Sequence, residues 1–221
     1  MAPGAPITIS MLLRRRFALM LTAAVVAGIT ATVVTVTGSS AAPRPLTSLL
    51  VRASQVGPGY RAQQETWGKS TSAQSFSCHH IRDTDRAVKA IGDEYAKSGA
   101  SPTLFNVLFK YRTPIETADN LAFLRRILTA CPKLKIVVTG PKTKITLTLS
   151  LTRLPTPHGL LPRSVALRQV STETGTRPTQ SIDIYQPDGN TLSLTYAFGS
   201  NRPKLRALTT RVAQASANNL G

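Results

Sequence analysis

Acidic residues, histidine, tryptophan and cysteine are all scarce in this chain of 221 residues, which has ten Asp and Glu, three His, one Trp and two Cys. Each shortage removes a class of chemistry. Two cysteines 53 positions apart, Cys78 and Cys131, cannot form a Cys-x-x-Cys redox pair or a zinc-finger ligand set. There is no Gly-rich phosphate loop, no Gly-x-Ser-x-Gly elbow and no His-Glu-x-x-His. His79 and His80 are neighbours without a third ligand at metal spacing, and Asp83, Asp85, Asp93 and Glu94 read as caps and solvated charges. No catalytic residue, metal or cofactor is therefore expected, and the chain is not read as an enzyme. Aromatic residues make up only 5% and carry no RNA-binding signature, so nucleic acid is not the expected partner either.

Positive charge, by contrast, is abundant: 27 Lys and Arg give a net +17. Its meaning depends on compartment, and the first 41 residues set that. Met11-Leu12-Leu13 leads into Arg14-Arg15-Arg16, an uncharged run from Phe17 to Thr37, and the small residues Ser39-Ser40-Ala41. This is the layout of an export signal, with cleavage expected after Ala41 or Ala42. The uncharged run is 21 residues long, so an uncleaved signal anchor is the alternative, and with it the one expected contact with membrane. Either Met1 or Met11 can open such a leader. Loss of the leader takes three of the 27 basic residues and leaves 24 against 10 acidic ones, a net +14. Outside the membrane such a surface faces anionic headgroups and wall polymers.

Export also changes the reading of the cysteines. An even number in an exported chain favours a Cys78–Cys131 disulfide, which by loop entropy stabilises by about 4 kcal/mol. A free thiol beside His79 and His80 is the alternative. After a linker at 42–45, Leu46, Leu49 and Leu50 suggest a short helix that Gly57-Pro58-Gly59 ends. From Arg61 to Ser77 the chain is polar, and irregular structure with one short strand is expected. Trp67 in this segment and His158 in a Pro-rich loop are candidates for the rim of a binding groove.

Thr113, Pro114 and Glu116 form a capping box with Pro at the first turn, so a helix is expected from Pro114 to its end at Cys131-Pro132. Ile115, Ala118, Leu121, Leu124, Leu128 and Cys131 make its apolar stripe, with Asp119, Asn120, Arg125 and Arg126 on the wet side. A second helix is expected from about Asp83 to Lys97, striped by Ala87, Val88, Ile91 and Tyr95. Phe105, Val107, Phe109 and Tyr111 alternate as a strand with one buried face. Beyond Pro132, a hairpin (Leu134–Val138 and Ile145–Leu151) and a three-strand meander (about 164–171, 180–186 and 191–198) follow, the last two strands joined by Pro187-Asp188-Gly189-Asn190. A closing helix starts near Pro203. Lys133, Lys135, Lys142 and Lys144 surround the hairpin and are a candidate basic patch, or guards of a solvated sheet edge.

These elements make one α+β domain over 46–219, with an antiparallel sheet of about five to seven strands and helices packed on one face. Their order resembles the extracellular sensor domain of actinobacterial PknH-type receptor kinases. The likeness is carried by L-T-S-L-L-V-R-A-S-Q-V-G-P-G-Y at 46–60, Cys78, F-L-R-R-I-L-T-A-C at 123–131, V-A-L-R-Q-V at 165–170, and P-D-G-N-T-L-S-L-T-Y before the closing helix. The resemblance implies a non-catalytic fold whose twisted sheet and helices enclose a groove for an envelope ligand: a small molecule, a lipid or an anionic polymer. The kinase domain is absent, and there are two cysteines where the kinase-linked domain has two bridges. The expected function is an exported, sensor-like binding module, secreted or held at the envelope. A basic structural or interaction protein of the envelope is the alternative.

Overall fold

Two burial patterns divide the strands of this chain. Residues 103–110 and 191–198 are buried at almost every position, whereas 144–154 buries Leu149 and Leu151 but exposes Thr148 and Thr152. A strand of the first kind needs cover on both sides of its sheet; one of the second kind needs cover on one. The computed structural model describes residues 44–67, 73–76, 87–97, 103–139, 144–173 and 178–221. In chain order it contains α1 (Leu46–Leu49), α2 (Ala53–Val56), β1 (Tyr60–Trp67), β2 (Ala73–Phe76), β3 (Lys89–Lys97) and β4 (Thr103–Lys110). These are followed by α3 (Pro114–Ala130), β5 (Lys133–Thr139), β6 (Lys144–Leu154), β7 (Val165–Glu173), β8 (Thr179–Asp188), β9 (Thr191–Phe198) and α4 (Arg202–Leu220).

Among the described residues the strands form one antiparallel sheet of nine, in the order β1-β3-β4-β9-β8-β7-β6-β5-β2. That exceeds the five to seven expected. The helices also lie on both faces rather than one. Leu121, Phe123, Leu124 and Ile127 of α3 share a core with Phe105, Val107 and Phe109 of β4, Leu167 of β7 and Leu192 and Leu194 of β9. Across the sheet, Leu205, Leu208 and Val212 of α4 pack with Val51, Val56, Tyr95, Leu104, Ile182 and Ala197. Register separates the two sets: Leu104 faces Ala197 and Ile182 faces Ala197, while Phe105 faces Tyr196 and Asp183 faces Tyr196. The central strands are buried on both sides because each side has its own helix. β4 accordingly has two buried faces where one was expected, and Asn106 is wholly enclosed.

The opening cap of α3 forms as its sequence predicts. Thr113 Oγ1 accepts from Glu116 N (3.2 Å), and Glu116 Oε2 accepts from Arg112 N (2.9 Å). Its stripe is rotated from the expected one. Ile115 is 67% exposed and Ala118 is exposed, while Thr117 and Asn120 turn inward. α4 begins with Asn201 Oδ1 accepting from Lys204 N (3.1 Å) and Pro203 in the first turn.

The region expected as a second helix is a strand where it is described. Ile91 and Tyr95 are four residues apart, which puts them on one face of a helix; four is also even, so it puts them on one face of a strand. Val88 separates the two readings, and it is 52% exposed. Gly92 in the middle, a liability in a helix, here sits in a buried strand between β1 and β4. Residues 83–86 lie outside the described part. The segment expected to be irregular carries two strands, β1 and β2, and the short N-terminal helix is two separate single turns. The hairpin β5–β6 and the meander β7–β8–β9 stand as predicted, with Gly189 at φ 52° in the tight turn between Asp188 and Thr191.

Candidate functional site

The sheet beneath α3 is an apolar floor with a polar strip running through it. β8 contributes Ser181, Asp183 and Tyr185 at alternate positions, so all three point to the α3 side while Ile182 and Ile184 point to α4. Beside them on β7, Gln169 stands opposite Ser181 and Leu167 opposite Asp183; on β9, Tyr196 stands opposite Asp183 and Phe198 opposite Ser181. Ser171 Oγ and Thr179 Oγ1 extend the strip at 2.7 Å from each other. From above, α3 adds Thr117 and Asn120, and Asn120 Nδ2 donates to Tyr111 OH (2.9 Å).

Apart from the exposed Thr179 these groups are buried or half-buried, and several lack partners. Asp183 is 3% exposed, and it is the one charged residue type fully buried among the described residues. Its Oδ1, Gln169 Oε1, Tyr185 OH and Thr117 Oγ1 are sealed from solvent without a hydrogen-bond partner. Burial pushes the Asp183 carboxyl up to about 7, with the Ser181 hydroxyl pulling part of the way back. Tyr185 is pushed well above the usual phenol range, first by burial, then by the nearby charges of Asp183, Tyr196 and Tyr111. Leaving such groups unpaired costs about 1–3 kcal/mol each.

Aromatic rings wall the strip. Phe105 stacks on Tyr196 with centroids 4.8 Å apart and planes 11° apart, and Phe198 meets both edge-on, at 6.3 and 5.3 Å. Asp183 thus lies across the ladder from a stacked aromatic pair, with Tyr185 within electrostatic reach. This combination can accept a hydrogen bond, hold a positive charge and cover an apolar body. Among the described residues no three His, Cys, Asp or Glu side chains come together as a metal site.

The residues singled out from sequence fall elsewhere. The backbone of Trp67 ends β1 at the sheet's margin, opposite Ala90. His158 is exposed in the β6–β7 connection, where its carbonyl accepts from Gln214 Nε2 of α4 (2.9 Å). Four strands stand between β1 and β7, so the structure does not bring these two positions together, and neither joins the strip. Lys133 and Lys135 are exposed on β5, on the parity opposite Leu134, which is buried beneath α3. The backbone of Lys144 opens β6 opposite Thr139; Lys142 lies outside the described residues. β2 pairs only with Ile136 to Thr139, so among the described residues the Lys133–Lys135 half of β5 is an edge carrying two lysines. Cys131 is half-buried at the end of α3, its N–H donating to Ile127 O (2.8 Å); Cys78 lies outside the described residues.

Ser-x-Asp-x-Tyr alternating with Ile-x-Ile has the pattern of a strand with one wet face, so nothing local marks 181, 183 and 185 as interior. The signal was there one level up. The first and last strands of a meander leave the middle one no free edge, and two long amphipathic helices leave a central strand no free face.

No protein-family model matches the sequence, and no curated protein matches it. Among solved structures the fold is similar to the extracellular domain of PknH from Mycobacterium tuberculosis, with a TM-score of 0.51 and 11% identity over 78% of this chain and 94% of that one. A protein of Mycobacterium smegmatis, an Rv0999 ortholog, matches with a TM-score of 0.42 and 10% identity over 77% of this chain and 97% of that one. The chain has the fold of the PknH extracellular domain.

Proposed function

We propose that this protein is an exported, non-catalytic, sensor-like binding module of the cell envelope, and that its ligand seats between α3 and the sheet. The observation that carries this reading is the set of enclosed atoms Asp183 Oδ1, Gln169 Oε1 and Tyr185 OH, none of which has a hydrogen-bond partner. Buried polar groups are normally paired, and a site built to hold a ligand is where pairing is deferred. The fold likeness to an extracellular domain supports placement outside the membrane. Among the described residues no helix is long and apolar enough to cross a bilayer, so any anchor falls to the leader. In this reading residues 1–41 direct export and a Cys78–Cys131 bridge ties the end of α3 to the chain before β3.

Native mass spectrometry of the protein recovered from its own envelope tests the reading. A bound small molecule, released on unfolding, is expected. A bare polypeptide mass, together with no change in melting temperature on addition of envelope extract, overturns it.

A second reading has its own observation. On the side away from α3, β5, β6 and β7 present Lys133, Lys135, Thr148, Thr152 and Thr172 to solvent. With a net +14 outside the cell, this face suits an anionic polymer. That reading predicts release from cells at about 0.5 M salt, where screening shortens to a few ångströms; retention in high salt after leader cleavage overturns it.

A further inference from the structure

In a chain with 27 basic residues, the one fully buried charged side chain among the described residues is an aspartate, and it has no basic partner. Neither Lys, Arg nor His is among the groups that perturb Asp183; those beside it are Ser181, Tyr185 and, across the ladder, Tyr196. Lys110, the basic residue nearest the core on β4, is on the opposite parity and donates to Asn190 and Thr191 instead. A buried carboxylate is stable only if it is paired or protonated. The Ser181 hydroxyl donates to the carboxyl, but Oδ1 has no partner, and across the ladder Tyr196 and Phe105 present stacked rings.

We propose that the strip between α3 and the sheet binds a small organic ammonium compound, with the ammonium group on Asp183 Oδ1 and its apolar body against the Phe105–Tyr196–Phe198 rings. The inference rests on the binding-module reading and names the ligand class of that same site. Asp183 supplies the counter-charge, Gln169 Oε1 and Tyr185 OH accept or donate the remaining hydrogen bonds, and the aromatic faces add cation–π attraction in a region closed to water. A carboxylate ligand is excluded by like charge, and an alcohol lacks the charge that the aspartate completes. When the ammonium binds a protonated Asp183, the carboxyl proton leaves to solvent, so binding strengthens as pH rises toward 8. Because the polar atoms are sealed under α3, entry requires α3 to part from the sheet, and association is slower than a diffusional encounter.

Three isosteric probes, benzylammonium, benzyl alcohol and benzoate, titrated calorimetrically into the full exported protein at pH 8, test this. Benzylammonium is expected to bind at least about tenfold more tightly than benzyl alcohol, with benzoate weakest. Asp183→Asn is expected to bring benzylammonium down to the level of the alcohol. Equal affinity for amine and alcohol, or an amine preference that survives in Asp183→Asn, overturns the proposal. Should that variant fail to fold, the ranking of the three probes on the unaltered protein decides. If none of the probes binds but envelope extract still raises the melting temperature, the ammonium assignment falls and the binding module stands; if the extract also has no effect, both fall.

Discussion

On the two faces of the central sheet, Asn106 and Asp183 stand in opposite situations. On the α4 face, Asn106 is the hub of a closed network. Its Nδ2 donates to Ser193 Oγ (3.1 Å), Thr195 Oγ1 (3.2 Å) and Ser216 Oγ (3.4 Å), and its Oδ1 accepts from Val51 N (3.3 Å). Ser193 and Ser216 also meet at 2.8 Å, Gln186 joins Leu161 N to Ala213 O, and Tyr95 OH donates to Val51 O. That network sews α4, the segment after α1 and strands β4 and β9 together. On the α3 face, a few ångströms away through the same strands, Asp183, Gln169 and Tyr185 keep unpaired atoms. Similar residue types in similar burial make a latch on one side and an unfinished site on the other. What differs is whether the helix above supplies partners: Ser216 of α4 does, and the Thr117 hydroxyl of α3 does not.

Four measurements break or sharpen that contrast. The largest effect is expected at the proposed Cys78–Cys131 bridge, which would tie α3 covalently rather than by polar pairing: Cys131→Ser should lower unfolding free energy by about 4 kcal/mol in urea titrations. No change on reduction of the unaltered protein would remove the bridge from the account. Asn106→Ala strands Ser193, Thr195 and Val51 N, and a loss of about 3 kcal/mol is expected from equilibrium denaturation. A loss below about 1 kcal/mol would mean that the latch is ornamental.

The third concerns pH. Asp183 titrates at about 7 when folded against an ordinary 3.8. The folded chain therefore keeps a proton that the unfolded chain has given up, so this contribution is complete below the unfolded value and is lost as pH climbs toward 7. Stability should fall by about 1.4 kcal/mol per pH unit in the middle of that window, on top of what other groups do. Asp183→Asn should flatten the profile there; an unchanged profile places the titration elsewhere. The smallest effect belongs to Tyr185→Phe, which removes a hydroxyl without a partner. A gain of about 1 kcal/mol is expected in thermal melts, against the larger loss on removing a paired group across the sheet. A loss comparable to that of Asn106→Ala would show that the hydroxyl is bonded after all.

Much of this architecture was legible one element at a time. Thr113-Pro114-Ile115-Glu116 opens α3 because a cap, a first-turn proline and a reciprocal glutamate are local chemistry, complete within four residues. Gly189 makes the β8–β9 turn for the same kind of reason. Lys89 to Lys97 reads as helix in the sequence because a spacing of four satisfies two periods, and the pairing that chooses between them comes from β1 and β4, which lie on either side of it in space. The polar strip was not visible because alternation records that a strand has two faces without recording what covers each.

Charge, export layout, caps, turns and the alternation of the late strands follow from the residues alone, since each is set by composition or by neighbours a few positions apart. Which helix covers which face, that Asn106 meets Ser216 110 positions away and that Asp183 Oδ1 meets no donor are facts of the packed chain. They were decided when the sheet closed to nine strands and two helices took opposite sides, because burial and polar pairing belong to the packed whole and not to any segment of it.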